Sequence, residues 1–158
     1  MKSVKNLKSL IICIALPLLI GALSGFVTNN TMEQFSNLNQ PPLSPPGWLF
    51  PIVWTILYIA MGVASYLVLV SNENNQTIIS SLRFYVIQLI FNFFWPVIFF
   101  VFEWYLFAFI WLVALWVLIG ITTYKFFGIS KVAGYLMIPY LLWVTFAGYL
   151  NLGIYLLN

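Results

Sequence analysis

The chain has no histidine and no aspartate, a single cysteine in 158 residues, and charges on only 6% of its positions. Without imidazole, and with Cys13 alone, the usual nitrogen and thiolate ligands of a metal centre are missing. Haem held by histidine is excluded as well. No nucleophile has a conventional base beside it, so the sequence predicts no catalytic residues, no metal site and no required cofactor. Cys13 cannot form an intrachain disulfide and says nothing about redox compartment. The three glutamates, Glu33, Glu73 and Glu103, all fall in or beside loops. A proton-coupled pump needs an ionisable group inside the bilayer, which this distribution does not offer. Internal repeats are also absent, against an inverted-repeat transporter, and nothing resembles a nucleic-acid footprint.

What is present is apolar: 63% of the chain is hydrophobic and 20% aromatic. Such a composition cannot surround itself with a polar surface, so its outside must face lipid. A membrane-spanning helix takes ~20 residues, and five runs of that length fit, at about Leu7 to Val27, Trp48 to Val70, Leu82 to Val101, Tyr105 to Phe126 and Val132 to Leu156. The fold class expected is an all-α membrane protein, a bundle of five transmembrane helices forming one domain over residues 1–158. With these spans all six basic residues, Lys2, Lys5, Lys8, Arg83, Lys125 and Lys131, fall on one side. Lysine and arginine resist translocation, which puts the N-terminus in the cytoplasm and the C-terminus outside. The net charge of +3 then lies near lipid headgroups. Lys2, Lys5 and Lys8 before an apolar stretch ending in Ala22, Ser24 and Gly25 also resemble a cleavable signal peptide. The stretch runs beyond a usual signal core, and it is read as the first span.

The only long connector, about residues 28–47, is polar from Thr28 to Gln40 and closes on Pro41, Pro42, Pro45, Pro46 and Gly47. Prolines at that density stiffen the chain, and a long, partly rigid external loop is a candidate lid. Ser71 to Ser81 reads as a solvated turn, and the connectors near Glu103 and from Gly128 to Lys131 are too short to host a site. Pro17, Pro51, Pro96 and Pro139 fall in four spans, where each removes a backbone hydrogen bond and permits a kink that could leave a cavity; membrane helices also tolerate prolines that have no role. Polar and aromatic residues recur at helical spacing in three spans: Trp54, Tyr58, Met61 and Ser65; Gln88, Asn92, Trp95 and Phe99; Trp143, Ala147, Leu150, Asn151 and Ile154. Any one stripe is explained by interhelical packing. Three together suggest a flat, aromatic-lined pocket.

Three segments carry a family resemblance. PPLSPPGWLFPIVWTILYIAMGVASYLV from Pro41 to Val68, QLIFNFFWPVIFF from Gln88 to Phe100, and PYLLWVTFAGYLNLGIYLLN from Pro139 to Asn158 resemble, in order, the signatures of the TspO/MBR family, the translocator proteins also called peripheral-type benzodiazepine receptors. Gly21, Ser24 and Gly25 fit the family's first helix. The resemblance implies a five-helix bundle of a bacterial cell membrane, often a homodimer, which binds porphyrins (tetrapyrroles of the protoporphyrin type) and hydrophobic drug-like ligands under the first loop. Carried over, the ligand-binding residues are Trp54, Trp95, Phe99, Trp143, Ala147 and Leu150. Phe35 stands where many members have a lid tyrosine, and Asn92 and Asn151 match family amides expected to bond helix to helix. Receptor or sensor is the first functional expectation. The alternatives are a carrier of porphyrin or another amphipathic molecule, and light-dependent porphyrin degradation, which is proposed for bacterial relatives.

The chain departs from the family pattern at Leu43, where an aromatic residue is common, at Pro96, where serine or asparagine is usual, and at Trp111, where a carboxylate is often found. The sterol motif of animal members needs a basic residue after the last-helix tyrosine, and only Leu156, Leu157 and Asn158 follow Tyr155. Arg83, Tyr85 and Leu89 satisfy the inverse of that pattern, which is a weak signal.

Overall fold

The computed structural model describes residues 7–158; Lys2 and Lys5 lie outside the described residues. The elements are α1 (Leu7–Thr28), a short 3-10 turn (Asn29–Thr31), α2 (Met32–Ser36), α3 (Leu49–Leu69), α4 (Asn75–Pro96) continued by a π-helical turn (Val97–Val101), α5 (Tyr105–Ile129) and α6 (Lys131–Leu157). No strand occurs among the described residues. Five helices are long and apolar enough to cross a membrane. Their outer faces carry large apolar side chains such as Leu19, Phe26, Ile56, Ile90, Ile110 and Leu142, all exposed, as lipid-facing surfaces require. The protein is an integral, multi-pass membrane protein.

The long helices close into a ring in which α1 packs on α3, α3 on α6, α6 on α5, α5 on α4, and α4 back on α1. Its core is formed by Leu57, Met61, Ala64, Val68, Leu89, Leu115, Ile119, Phe126, Met137 and Val144, all buried. Small residues allow the closest approaches, as is usual where lipid removes the hydrophobic drive between helices. A Cβ on Gly62 would lie 2.6 Å from the Ile14 Cα and 2.7 Å from the Cys13 carbonyl oxygen, and one on Gly134 would lie 2.3 Å from the Phe127 ring.

Two local expectations are corrected. The turn read over Ser71 to Ser81 is shorter, because α4 begins at Asn75. Asn74 caps it, its Oδ1 accepting from the Thr77 backbone N–H at 2.9 Å, and this cap makes a helix of a segment too polar to read as membrane span. Pro51 does not interrupt a span. It sits in the first turn of α3, where its missing N–H would have no helical partner. Pro17, Pro96 and Pro139 do lie inside helices. At Pro96 the ladder changes: Phe102 N–H donates to the Val97 carbonyl at 3.2 Å, a five-residue spacing that inserts one extra position into the turn.

The loop between α1 and α3 lies across one end of the ring and is fastened to the last turns of α6. Asn39 N–H donates to Asn158 Oδ1 at 3.1 Å and Asn158 Nδ2 returns a bond to the Asn39 carbonyl at 2.9 Å. Tyr149 Oη donates to the Pro42 carbonyl at 2.7 Å. Pro41 is buried against Gly153, where a Cβ would stand 2.6 Å from the proline ring.

Candidate functional site: an aromatic cavity beneath the loop

Between the loop and the middle of the bundle lies a cavity of about 670 Å³. All nine residues expected at the site from sequence, Phe35, Trp54, Asn92, Trp95, Phe99, Trp143, Ala147, Leu150 and Asn151, line it. The roof is Phe35 of α2, whose ring meets Phe50, Phe99 and Phe100 edge-on at centroid distances of 6.4, 6.0 and 5.3 Å. Edge-to-face packing of this kind adds stability beyond the area buried. Along the walls Trp54 stacks on Tyr58 at 5.5 Å, Trp95 lies 5.5 Å from Phe99, and Trp143 meets Phe50 at 6.0 Å.

The floor is polar and paired except at Gln88 Nε2, which is buried without a partner. Tyr58 Oη donates to Asn92 Oδ1 at 2.8 Å, Asn92 Nδ2 donates to Tyr140 Oη at 2.8 Å, and Tyr140 Oη donates to Gln88 Oε1 at 2.6 Å. The chain ties α3, α4 and α6 together with residues that are all buried. Higher up, Trp95 Nε1 donates to Asn151 Oδ1 at 3.0 Å, while Asn151 Nδ2 donates to the Tyr105 carbonyl at 2.9 Å. Asn92 and Asn151 therefore bond helix to helix as well as facing the cavity. Trp143 Nε1 is buried without a protein acceptor. Neither lysine nor arginine lines the cavity, and among the described residues no group of three or more His, Cys, Asp or Glu side chains comes together.

Several wall residues are absent from the sequence stripes. Phe50 and Thr55 share the α3 face with Trp54 and Tyr58, and helical spacing would have extended the stripe to them. Phe100 lines the cavity beside Phe99, which α-helical periodicity does not anticipate; the π-helical turn after Pro96 brings both rings inward. Trp111, at the position of the family's carboxylate, is not in the wall. It stacks on Phe91 at 4.3 Å and its Nε1 donates to the Phe91 carbonyl at 2.9 Å, holding α5 to α4 just before Pro96.

The TspO/MBR family profile matches residues 13–157. The chain belongs to the TspO/MBR family. It is 39% identical over 155 residues to the tryptophan-rich protein TspO of Chlorobaculum tepidum, covering 98% of each chain. It is 36% identical to the tryptophan-rich sensory protein of Cereibacter sphaeroides, over 80% of this chain and 77% of that one. Human translocator protein is 33% identical over 81% of this chain and 76% of its own. A relationship reaching from bacteria to human across most of the chain makes this a membrane protein of the family whose members are named sensors and translocators.

Proposed function

We propose that the cavity binds porphyrins and hydrophobic drug-like molecules of similar size, and that the protein serves as a membrane receptor or sensor for them. The observation that carries this reading is a cavity of about 670 Å³ walled by aromatic faces on α2, α3, α4 and α6, within the ~300–1,000 Å³ typical of small-molecule sites. A flat conjugated ring needs stacking faces and few hydrogen bonds, and Trp54, Trp95 and Trp143 offer such faces. Apart from Gln88 Nε2, the amides and phenols of the floor bond one another, so the deep end favours an apolar surface over a charged one. Propionates would remain towards the exposed wall residue Asn29 beside the loop. The names of the sensory relatives fit a receptor. A carrier must also open its site to the other side, and below this cavity stand the Tyr58–Asn92–Tyr140–Gln88 chain and the close crossing at Gly62.

For orientation, the described cations Lys8, Arg83, Lys125 and Lys131 lie towards the end of the bundle opposite the loop, which supports a cytoplasmic N-terminus and an external loop. Single cysteines at residues 72–76 should then label from the cytoplasm only and those at 29–39 from outside only; the inverse pattern would reverse this orientation, and labelling of both from one side would overturn the five-span arrangement. Binding itself is tested by titrating the protein with protoporphyrin IX and following porphyrin absorbance. Trp143→Ala should weaken binding by roughly 1–3 kcal/mol, the range for a large buried aromatic contact. Trp104→Ala, at an exposed position stacked on Phe102, should leave it unchanged. Equal losses in two folded variants would remove the cavity from binding.

A further inference from the structure

The cavity wall is unevenly covered. On α4 and α6 the lining residues Asn92, Phe99, Ala147, Leu150, Asn151 and Ile154 are buried, so facing the cavity does not by itself make a residue accessible. On the loop-side halves of α1 and α3 the lining is divided: Ser24 and Thr28 are buried, whereas Ala22, Gly25, Pro51 and Thr55 line the same cavity and are exposed. The cavity therefore has its mouth between two neighbours of the ring.

The geometry of these helices explains the gap. Away from the loop, Gly62 brings α3 against the α1 backbone at Cys13 and Ile14, and midway Gly21 lies against the Tyr58 ring. One edge of α1 is held to α4 by Ser24 Oγ donating to the Phe93 carbonyl at 3.4 Å. Beyond Gly21 no such closure follows on the α3 side: a Cβ on Gly25 would meet nothing within 4 Å. The residues around the mouth, Phe26, Ile52 and Ile56, are apolar and exposed, which is the character of a lipid-facing surface. The roof, by contrast, is fastened to α6 through Asn39, Pro41 and Pro42 and closed by the Phe35 ring cluster.

We infer that ligands pass sideways between α1 and α3, directly from the bilayer leaflet on the loop side, and that Gly25 and Thr55 keep this portal open. The occupant is a planar amphiphile already dissolved in the membrane, its apolar ring leading towards the floor and its polar edge trailing at Asn29 beside the loop. This inference rests on the cavity being a porphyrin site.

The test uses the full chain in phospholipid vesicles and a phospholipid whose second acyl chain is replaced by a porphyrin, a probe confined to the bilayer. Free protoporphyrin IX serves as the second probe. The expected result is that the confined porphyrin quenches the protein's tryptophan fluorescence and competes with free protoporphyrin. Gly25→Trp, or Thr55→Trp should the first variant misfold, is expected to slow association of the confined probe on the order of tenfold, as obstruction of an approach path does. Binding of free protoporphyrin without capture of the confined probe would overturn the lateral portal while leaving the cavity reading intact. An unchanged association rate in both folded tryptophan variants would overturn it as well. Failure of both porphyrins to bind, in vesicles and in detergent, would overturn the cavity reading and the portal with it.

Discussion

In the half of the bundle away from the loop, Gly62 sets α3 directly on the backbone of α1, and Ala64, Val68, Phe126, Ala133 and Met137 are buried. In the loop-side half, the same pair of helices faces open space at Gly25, and rings of phenylalanine and tryptophan stand around a void. Lipid tails are as apolar as the side chains, so helices in a membrane gain little from the hydrophobic effect when they touch and depend on close packing and hydrogen bonds. Small residues where two backbones cross produce contact. Bulky rigid rings, together with the irregular turn after Pro96, prevent it. One half is the clamp and the other the container, and the Asn92 hydrogen-bond chain lies at the boundary.

If that contrast is right, substitutions of one residue type should have opposite consequences in the two halves. The largest effect is expected for Gly62→Leu. Its side chain would collide with main-chain atoms of Cys13 and Ile14, and the helices must separate, at a cost of about 3 kcal/mol by analogy with overpacked cores. A large fall in thermal unfolding temperature in detergent checks it, and an unperturbed protein would break the comparison. Next comes the boundary. Asn92→Leu removes the acceptor of Tyr58 and the donor to Tyr140 at once, and roughly 1–2 kcal/mol of stability should be lost. Restoration of stability by Tyr58→Phe in that background would sharpen the assignment, because it deletes the stranded hydroxyl.

A smaller change is expected at the roof. Phe35 packs on Phe50, which precedes Pro51 at the mouth, so Phe35→Ala should speed porphyrin release by about threefold to tenfold, the equivalent of one lost aromatic pair. Stopped-flow displacement reads it, and an unchanged release rate in a folded variant would make the loop a passive tether. The smallest effect is expected for Gly25→Ala: with nothing within 4 Å of the new methyl, stability should stay within about 0.5 kcal/mol, the better helix propensity of alanine offsetting any loss. Destabilisation as large as that of Gly62→Leu would show that the portal edge is packed after all.

The sequence by itself determined the membrane class, five helices, and the stripes of Trp54, Asn92, Trp95, Trp143 and Asn151, because a helix of fixed period in a solvent without hydrogen bonds must turn its amides and indoles inward. Its reading stopped where residues distant in the chain decide the outcome. Periodicity treats Phe99 and Phe100 as pointing apart, yet the turn after Pro96 turns both to the cavity. Trp111 stands at a position that the family resemblance connected with a carboxylate, and only the adjacency of α5 to α4 gives its indole the Phe91 carbonyl instead. The same holds for the two glycines, which look alike in the sequence. Whether a glycine closes two helices or opens a door between them depends on what the neighbouring helix presents at that height. That was decided by the tertiary crossing of α1 and α3, which sets backbone against Gly62 and nothing against Gly25.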